Sequence, residues 1–359
     1  MKKIISIWVS IINQVKQHED GSFVAGHNGP HGDQETPVRT TAHLLYILCK
    51  LIDLGHNEYR GKANKAIDYL ISPSARPMGA SFWCRVNPEK DFCNGLIGQA
   101  WVMESLVYAA NVLKRSDCFE VVDEVLAMHK WNSGCSAWHK LNVDGSCGEL
   151  FGTFNQQLWF AYISIQMGEE SKSYNNGVEF VSTVLPRVEL YSDGIIYHDS
   201  PAYKMQKMLG VKSAIKELIN FISRKSKKSD KRARSVGYHS FNLIALKGIE
   251  EKLPENKFWY SCKYKKIVKA LYTEKYKRET KNNKFAYPYN PVGFENAYFL
   301  EGKDKELAIF YLVEQLNYIY YDDKKIVVRD SQDAVNSLAR IYESCRLSES
   351  ILSSLNDNN

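Results

Sequence analysis

Two kinds of helical segment alternate six times along this 359-residue chain, and that alternation restricts the fold more than any single motif. Residues 4–17, 58–71, 118–129, 173–185, 259–272 and 304–319 repeat apolar side chains at helical spacing on mixed, amphipathic surfaces. Such segments suit a layer wetted on one side. Residues 38–54, 95–113, 154–167, 240–253, 293–300 and 334–345 are apolar or small on most sides, with polar groups near their first turns. A helix that is apolar nearly all round must be buried all round. Outer then inner, six times, predicts an all-α (α/α)6 toroid, a barrel of six helical hairpins over residues 1–346, followed by a polar, frayed tail at 347–359.

Two stretches break the rhythm. Residues 187–197 read as short β-like pieces around Asp193-Gly194, and 208–222 as an additional helix. Residues 320–331 read as a short hairpin before the last inner helix. The long connections, 18–37, 73–94, 130–152, 186–207, 223–238 and 274–292, all precede inner helices, whereas inner-to-outer turns such as 55–57 are short. Because hairpins alternate in direction, the long loops gather at one end of the barrel. Loops longer than closure requires usually carry function, so the site is expected there.

Charge excludes some partners. The net charge is +6, and Arg224 to Arg234 holds seven Lys or Arg against the single Asp230, a net of +6 that equals the charge of the whole chain. Seven basic residues gathered in one Ser/Lys-rich connection, rather than spread over a face or along a recognition helix, do not suggest a nucleic-acid binder; the segment reads as a solvated loop, with contact to an anionic polymer or lipid as the alternative. The eight cysteines contain no CxxC pair and several fall in apolar helical patterns, which points to a reducing, cytoplasmic setting. Ile4, Trp8, Ile11, Ile12 and Val15 repeat at helical spacing and Ser6, Ser10 and Asn13 interrupt the run, so the N-terminus reads as an amphipathic first helix rather than a leader. Nothing approaches the ~20 apolar residues of a membrane span.

The loops are rich in carboxylates, histidines and aromatic rings. The first carries His27, His31, Asp33, Glu35 and Arg39; the second Trp83, Arg85 and Asp91; the third Trp138, His139 and Asp144. Later segments add His198, Tyr238, His239, Tyr289 and Glu295, and Asn155 and Gln156 open the third inner helix. Aromatic faces beside carboxylates and amides suit a sugar, which offers C–H faces for stacking and hydroxyls for directed hydrogen bonds. Glycosidic chemistry needs a proton donor and a second carboxylate as base or nucleophile. Asp33, Asp91 and Asp144 are the candidate acids and bases. His139 and His239 are candidates for proton relay, with His31, Glu35, Trp83, Trp138, Asn155, Gln156, Tyr238, Tyr289 and Glu295 as substrate contacts. Arg39 and Arg85 can hold a carboxylate through two parallel hydrogen bonds, which suits an acidic sugar.

Each candidate also has a plainer reading. Asp144-Gly145 is what a turn wants. Asp33, Glu35 and Asp91 can cap the helices that follow them. His239 and Asn242 can be a satisfied buried pair, and Glu295 can favour a helix dipole. The spacing of His27, His31 and Asp33 admits a metal, but no second ligand cluster stands out, and there is no nucleotide-binding loop. No metal or cofactor is expected.

The runs DGSFVAGHNGPHGDQETPVRTTAH (20–43), WHKLNVDGSCGELFGTFNQQLWFA (138–161) and YPYNPVGFENAYFLE (287–301), with 75–101 and 237–246, resemble the AglQ-like proteins of surface-glycan gene clusters, over roughly residues 4–342. The resemblance implies a six-hairpin, glycosidase-like fold, distantly similar to unsaturated glucuronyl hydrolases. Those enzymes place an Asp four residues before an Asn at an inner-helix start; here Asn155 matches the setting but Phe151 holds the Asp position, so that role does not transfer. The expected activity is on a surface-glycan or glycolipid intermediate: hydrolysis, or elimination or epimerisation at a uronic acid. The other class of reading is a non-catalytic glycan-binding or assembly protein.

Overall fold

The computed structural model describes residues 1–201, 224–321 and 325–354. The helix expected at 208–222 lies outside the described residues. The six inner segments form α2 (Val38–Asp53), α4 (Ile97–Leu113), α6 (Phe154–Gln166), α9 (His239–Lys252), α12 (Val292–Leu300), and α14 (Ala334–Ala339), which continues as a 3-10 helix, Arg340–Arg346. Each packs on the next, and the 3-10 stretch packs on both α12 and α2, so the ring closes. The outer layer is α1 (Lys2–Gln14), α3 (Arg60–Ile71), α5 (Ser116–Met128), α7 (Tyr174–Thr183), α10 (Cys262–Ala270) and α13 (Lys305–Leu316). The burial pattern follows the sequence: α4 and α6 bury residues on every side, while α1 buries Ile4, Ile7, Trp8, Ile11 and Ile12 along one stripe. One apolar core runs without interruption from Ile4 to Leu352.

The connections hold more structure than the pattern predicted. Residues 130–152 form a three-stranded antiparallel sheet, β1 (Trp131–Asn132), β2 (Ala137–Leu141) and β3 (Cys147–Leu150). The 274–292 connection begins with a helix, α11 (Glu274–Lys281), whose N-cap Thr273 hydroxyl accepts from the Tyr276 amide. The expected hairpins are present, as a Leu190–Ile196 bridge and as β4 (Ile319–Tyr321) with β5 (Ile326–Val328).

Two expectations are corrected. The basic segment is not a loop but the first part of helix α8 (Arg224–Gly237), because Lys and Arg are good helix formers and its last turn is packed, with Ser235, Val236 and Gly237 buried. The tail is not frayed throughout: α15 (Glu349–Ser353) buries Ile351 and Leu352, and the terminal ammonium of Met1 donates to the Leu352 carbonyl at 2.8 Å.

The axis of the ring is polar. Arg340 donates to Glu295 at 2.8 Å and lies 3.3 Å from Glu343; Arg346 pairs with Glu343 at 2.6 Å and Glu104 at 2.7 Å. Nearer the long loops, Arg39 pairs with Glu35 at 3.0 Å and lies over the Trp101 ring at 4.1 Å. All seven ionisable side chains are buried. Four carboxyls face three guanidiniums, and burial pushes Glu295 up to about 8, so a proton there balances the set at neutral pH. Taking one member out of such a network strands its partner in low dielectric. Arg346→Met is therefore expected to lower unfolding free energy by about 3–5 kcal/mol, read from urea midpoints. A loss below about 1 kcal/mol would show that water reaches the axis.

Candidate active site

Five of the six approaches to inner helices meet in one cleft of about 260 Å³. Asn28, His31 and Asp33 come from the loop before α2. Arg85, Lys90, Asn94 and Gly95 precede α4, whose first turns add Ile97 and Trp101. Phe151, Thr153, Asn155 and Gln156 surround the start of α6; His198 precedes α8; Arg234, Tyr238 and Phe241 flank the start of α9; and Tyr289 precedes α12. Backbone bridges Glu35–Arg85 and Thr153–Asp199 tie neighbouring loops together. Gln156 accepts from the amides of Leu96 and Ile97 at 2.9 and 3.1 Å, so the start of α6 caps α4. Gly95, at φ +59°, passes so close that an added Cβ would lie 2.4 Å from the Gln156 Oε1.

Electrostatics divide the wall. Asp33 accepts from Lys90 at 2.5 Å, Asn87 at 3.1 Å and Arg85 at 3.4 Å. Burial opposes its ionisation, but the hydrogen bonds from Lys90 and Asn87 and the charges of Lys90 and Arg85 outweigh it, and the carboxyl stays below its usual range. The histidines go the other way. Burial, with the charges of Arg234 and Arg39, pushes His31 down to about 4, and its Nε2 lies 3.0 Å from the Tyr238 hydroxyl. Burial likewise brings His198 to about 4, and its ring stacks on Tyr238 with centroids 5.6 Å apart. At neutral pH the cleft thus holds two uncharged imidazoles, one carboxylate, and the cations Arg85, Lys90 and Arg234.

Glu35 and Arg39 stand behind this wall. Neither Asp33 nor Glu35 caps α2, whose N-cap makes no side-chain hydrogen bond. Arg39 donates to Asn28 Oδ1 at 2.8 Å, as does the Tyr289 hydroxyl, and Asn336 donates to Glu35 at 2.6 Å. Asp333 accepts from the amides of His27 and Gly29, so the sixth inner helix anchors the first loop. His27 thereby faces Asp333 while His31 faces Tyr238, and the closely spaced His27, His31 and Asp33 do not converge on one point.

Other candidates fall outside the lining. Asp91 sits beside the cleft, 3.1 Å from Arg85 and accepting from the Gly95 amide at 2.8 Å, the helix-start role its sequence position allowed. Asp144 is exposed in the turn between β2 and β3, where it accepts from the Ser146 amide and hydroxyl. His139, on β2, lies 3.0 Å from the Gly148 carbonyl. His239 is buried with both nitrogens engaged, Nδ1 accepting from the Ile196 amide and Nε2 donating to the Ile267 carbonyl. Trp83 donates to the Arg85 carbonyl; Trp138 packs among Trp131, Phe160 and Phe180. Glu295 belongs to the axial network.

Sequence reasoning did not select Asn28, Lys90, Asn94, Phe151, His198 and Arg234 as site residues. His198 stood out among the loop residues, and Ile97 and Trp101, four apart at a helix start, share a face that pattern alone exposes. Lys90 and Arg234 carry no local signal.

The ring and its mouth define a six-hairpin, glycosidase-like toroid. No known family profile matches the sequence. The chain is 33% identical over 348 residues to archaeal glycosylation protein Q of Haloferax volcanii, covering 93% of this chain and 94% of that protein, and it belongs to that AglQ family. Its backbone is similar to cellobiose 2-epimerase from Bacillus thermoamylovorans, with TM-score 0.64 at 9% identity, over 96% of this chain and 99% of that one. It is also similar to an inactive variant of an α-1,6-mannanase from Salegentibacter, bound to α-1,6-mannotriose, with TM-score 0.58 at 7% identity, over 96% and 98% of the chains. Among the described residues no helix is long and apolar enough to cross a membrane.

The raised Glu295 makes stability depend on pH. Its folded value, about 8, lies above its ordinary 4.5. Stability from the protonated form is therefore complete below about pH 4.5 and is lost as pH rises through 8. Relative to Glu295→Gln, which has no proton to lose, the wild type should lose stability between pH 5 and 8 in urea titrations; parallel curves would show that Glu295 stays ionised.

Proposed function

We propose that the protein is an enzyme that binds an acidic saccharide of a surface-glycan or lipid-linked intermediate in this cleft and moves a proton at a sugar carbon, as in epimerisation or elimination. The observation that carries this reading is the pair of neutral imidazoles that meet Tyr238, His31 at its hydroxyl and His198 stacked on its ring. A neutral imidazole can accept a proton; the hydrogen next to a uronate carboxylate is acidic enough to be taken when cations stabilise the charge that develops. Arg85, Lys90 and Arg234, which line the cleft, are the cations that support this reading. Binding an anion also offsets the Arg234, Arg39 and Lys90 charges that depress His31, so the substrate itself makes the base stronger. The cellobiose epimerase and the glycosylation protein support the reading as relatives in fold and in sequence. The eight free thiols, two of them exposed, support a cytoplasmic site of action.

Hydrolysis is the second reading, and Asp33 favours it. Held ionised, Asp33 can activate a water, the base half of an inverting mechanism. The acid half then falls to a group other than a carboxylate, since no second carboxylate lines the cleft among the described residues.

Isotope exchange separates the two. With uronate-containing oligosaccharides in deuterium oxide, proton transfer places deuterium on the sugar carbon, whereas hydrolysis creates reducing ends. His31→Gln and His198→Gln are each expected to lower exchange by about 10²–10⁴-fold. Reducing ends that vanish in Asp33→Asn, without exchange, would favour hydrolysis; binding with neither product would leave a glycan-binding protein.

A further inference from the structure

The polar side chains of the cleft fall into two sets. On the side of the first loop they are spent on one another: Asp33 accepts from Lys90 and Arg85, and Asn28 accepts from Arg39 and Tyr289. Gln156 is likewise occupied by the amides of Leu96 and Ile97. Beside it, at the starts of α4 and α6, the opposite holds. Among the described residues the side chains of Asn94, Thr153 and Asn155 make no hydrogen bond, although all three line the cleft. Asn94 is 9% exposed and Asn155 5%, and the Asn155 Oδ1 is buried with no partner.

Such groups are uncommon, because a polar group taken from water with nothing in exchange costs free energy. Their backbones are nonetheless held. The Gly98 amide donates to the Asn94 carbonyl at 3.1 Å, leading into α4, and Asn94 has φ +55°, a left-handed conformation that asparagine tolerates better than most side chains. Asn155 stands between Phe154, whose amide donates to the His198 carbonyl at 2.9 Å, and the capping Gln156. Each free carboxamide offers a donor group and an acceptor, and the Thr153 hydroxyl offers both. An anion with no hydrogen to give would leave those acceptors unmet. A sugar edge with adjacent hydroxyls satisfies donors and acceptors together.

We propose that Asn94 and Asn155, with Thr153 beside them, read the hydroxyls of one sugar ring bound in the cleft. The carboxylate of that ring then faces Arg85, Lys90 and Arg234, and its hydroxyl-bearing edge faces the two amides. The assignment rests on the reading of the cleft as a site for an acidic saccharide and narrows it. The ligand carries its carboxylate and free hydroxyls on the same ring, as a uronic acid does, which separates it from a phosphate or a simple dicarboxylate. The amides thus act as specificity determinants: they select sugars by hydroxyl position, while the cations select by charge.

The test uses the full-length protein with methyl glucuronide, methyl galacturonide and their 2-, 3- and 4-deoxy analogues, binding being read by ligand-observed NMR. In the wild type, deleting at least one hydroxyl is expected to weaken binding about tenfold. Asn94→Gly removes the amide and leaves the φ +55° backbone unstrained, and Asn155→Ala removes the second amide within a helix. In each variant the parent sugar should bind about tenfold more weakly, and one of the costly deletions should shrink to about twofold or less. Deoxy analogues that all bind the wild type as tightly as the parent overturn the assignment and leave the acidic-sugar reading intact; this series does not depend on how either variant folds. A loss in the variants that parent and deoxy sugars share equally also overturns it, because that marks a deformed cleft. Failure of both uronides to bind the wild type overturns the acidic-sugar reading and the assignment with it.

Discussion

Everything at the mouth depends on a ring of helices closed around buried charge. An inner helix of such a barrel is covered by the outer layer on one side and by its neighbours on the other, leaving only the axis to fill. Here the axis is filled by guanidinium and carboxyl groups rather than by apolar side chains alone. Buried ions of this kind contribute little net stability, because desolvation cancels much of their attraction. They do fix direction: an arginine shared by two carboxyls tolerates few arrangements, so helices that bear them are held in register.

That register reaches the cleft through a short chain of contacts. Arg39 spans the two levels, lying over Trp101 and pairing with Glu35, while Glu35 accepts from Asn336 on the last inner helix. Asn28 receives hydrogen bonds from both Arg39 and Tyr289. The first loop, which carries His31 and Asp33, is thus clamped from behind before any substrate arrives. A preorganised wall of this sort reduces the reorganisation that a developing charge demands.

The roles of the carboxylates follow from what they face. Asp33, Asp91 and Asp144 are alike in sequence, each in a long loop before an inner helix. In the structure one lines the cleft between two cations, one stands beside it and holds a helix start, and one closes an exposed turn. Conversely, two histidines of similar local setting diverge: His198 opens onto the cleft, and His239 is spent on two backbone groups. Chemistry on this scaffold is decided by neighbours, not by residue type.

The sequence by itself determined the six-fold alternation, the placing of all twelve ring helices to within a few residues, and the end of the barrel at which long loops gather. Those features are local: helical period and burial are written in residues three and four apart. It also placed His31, Asp33, Arg85, Asn155, Gln156, Tyr238 and Tyr289 among the candidates, all of which line the cleft. Only the tertiary structure added Lys90 and Arg234 and turned the basic stretch into a helix against the wall. It alone also brought the amide of His27 to Asp333, 306 residues away. Contacts of that span are set by closure of the ring, and a one-dimensional pattern carries no distance between residues that meet only when the last helix returns to the first.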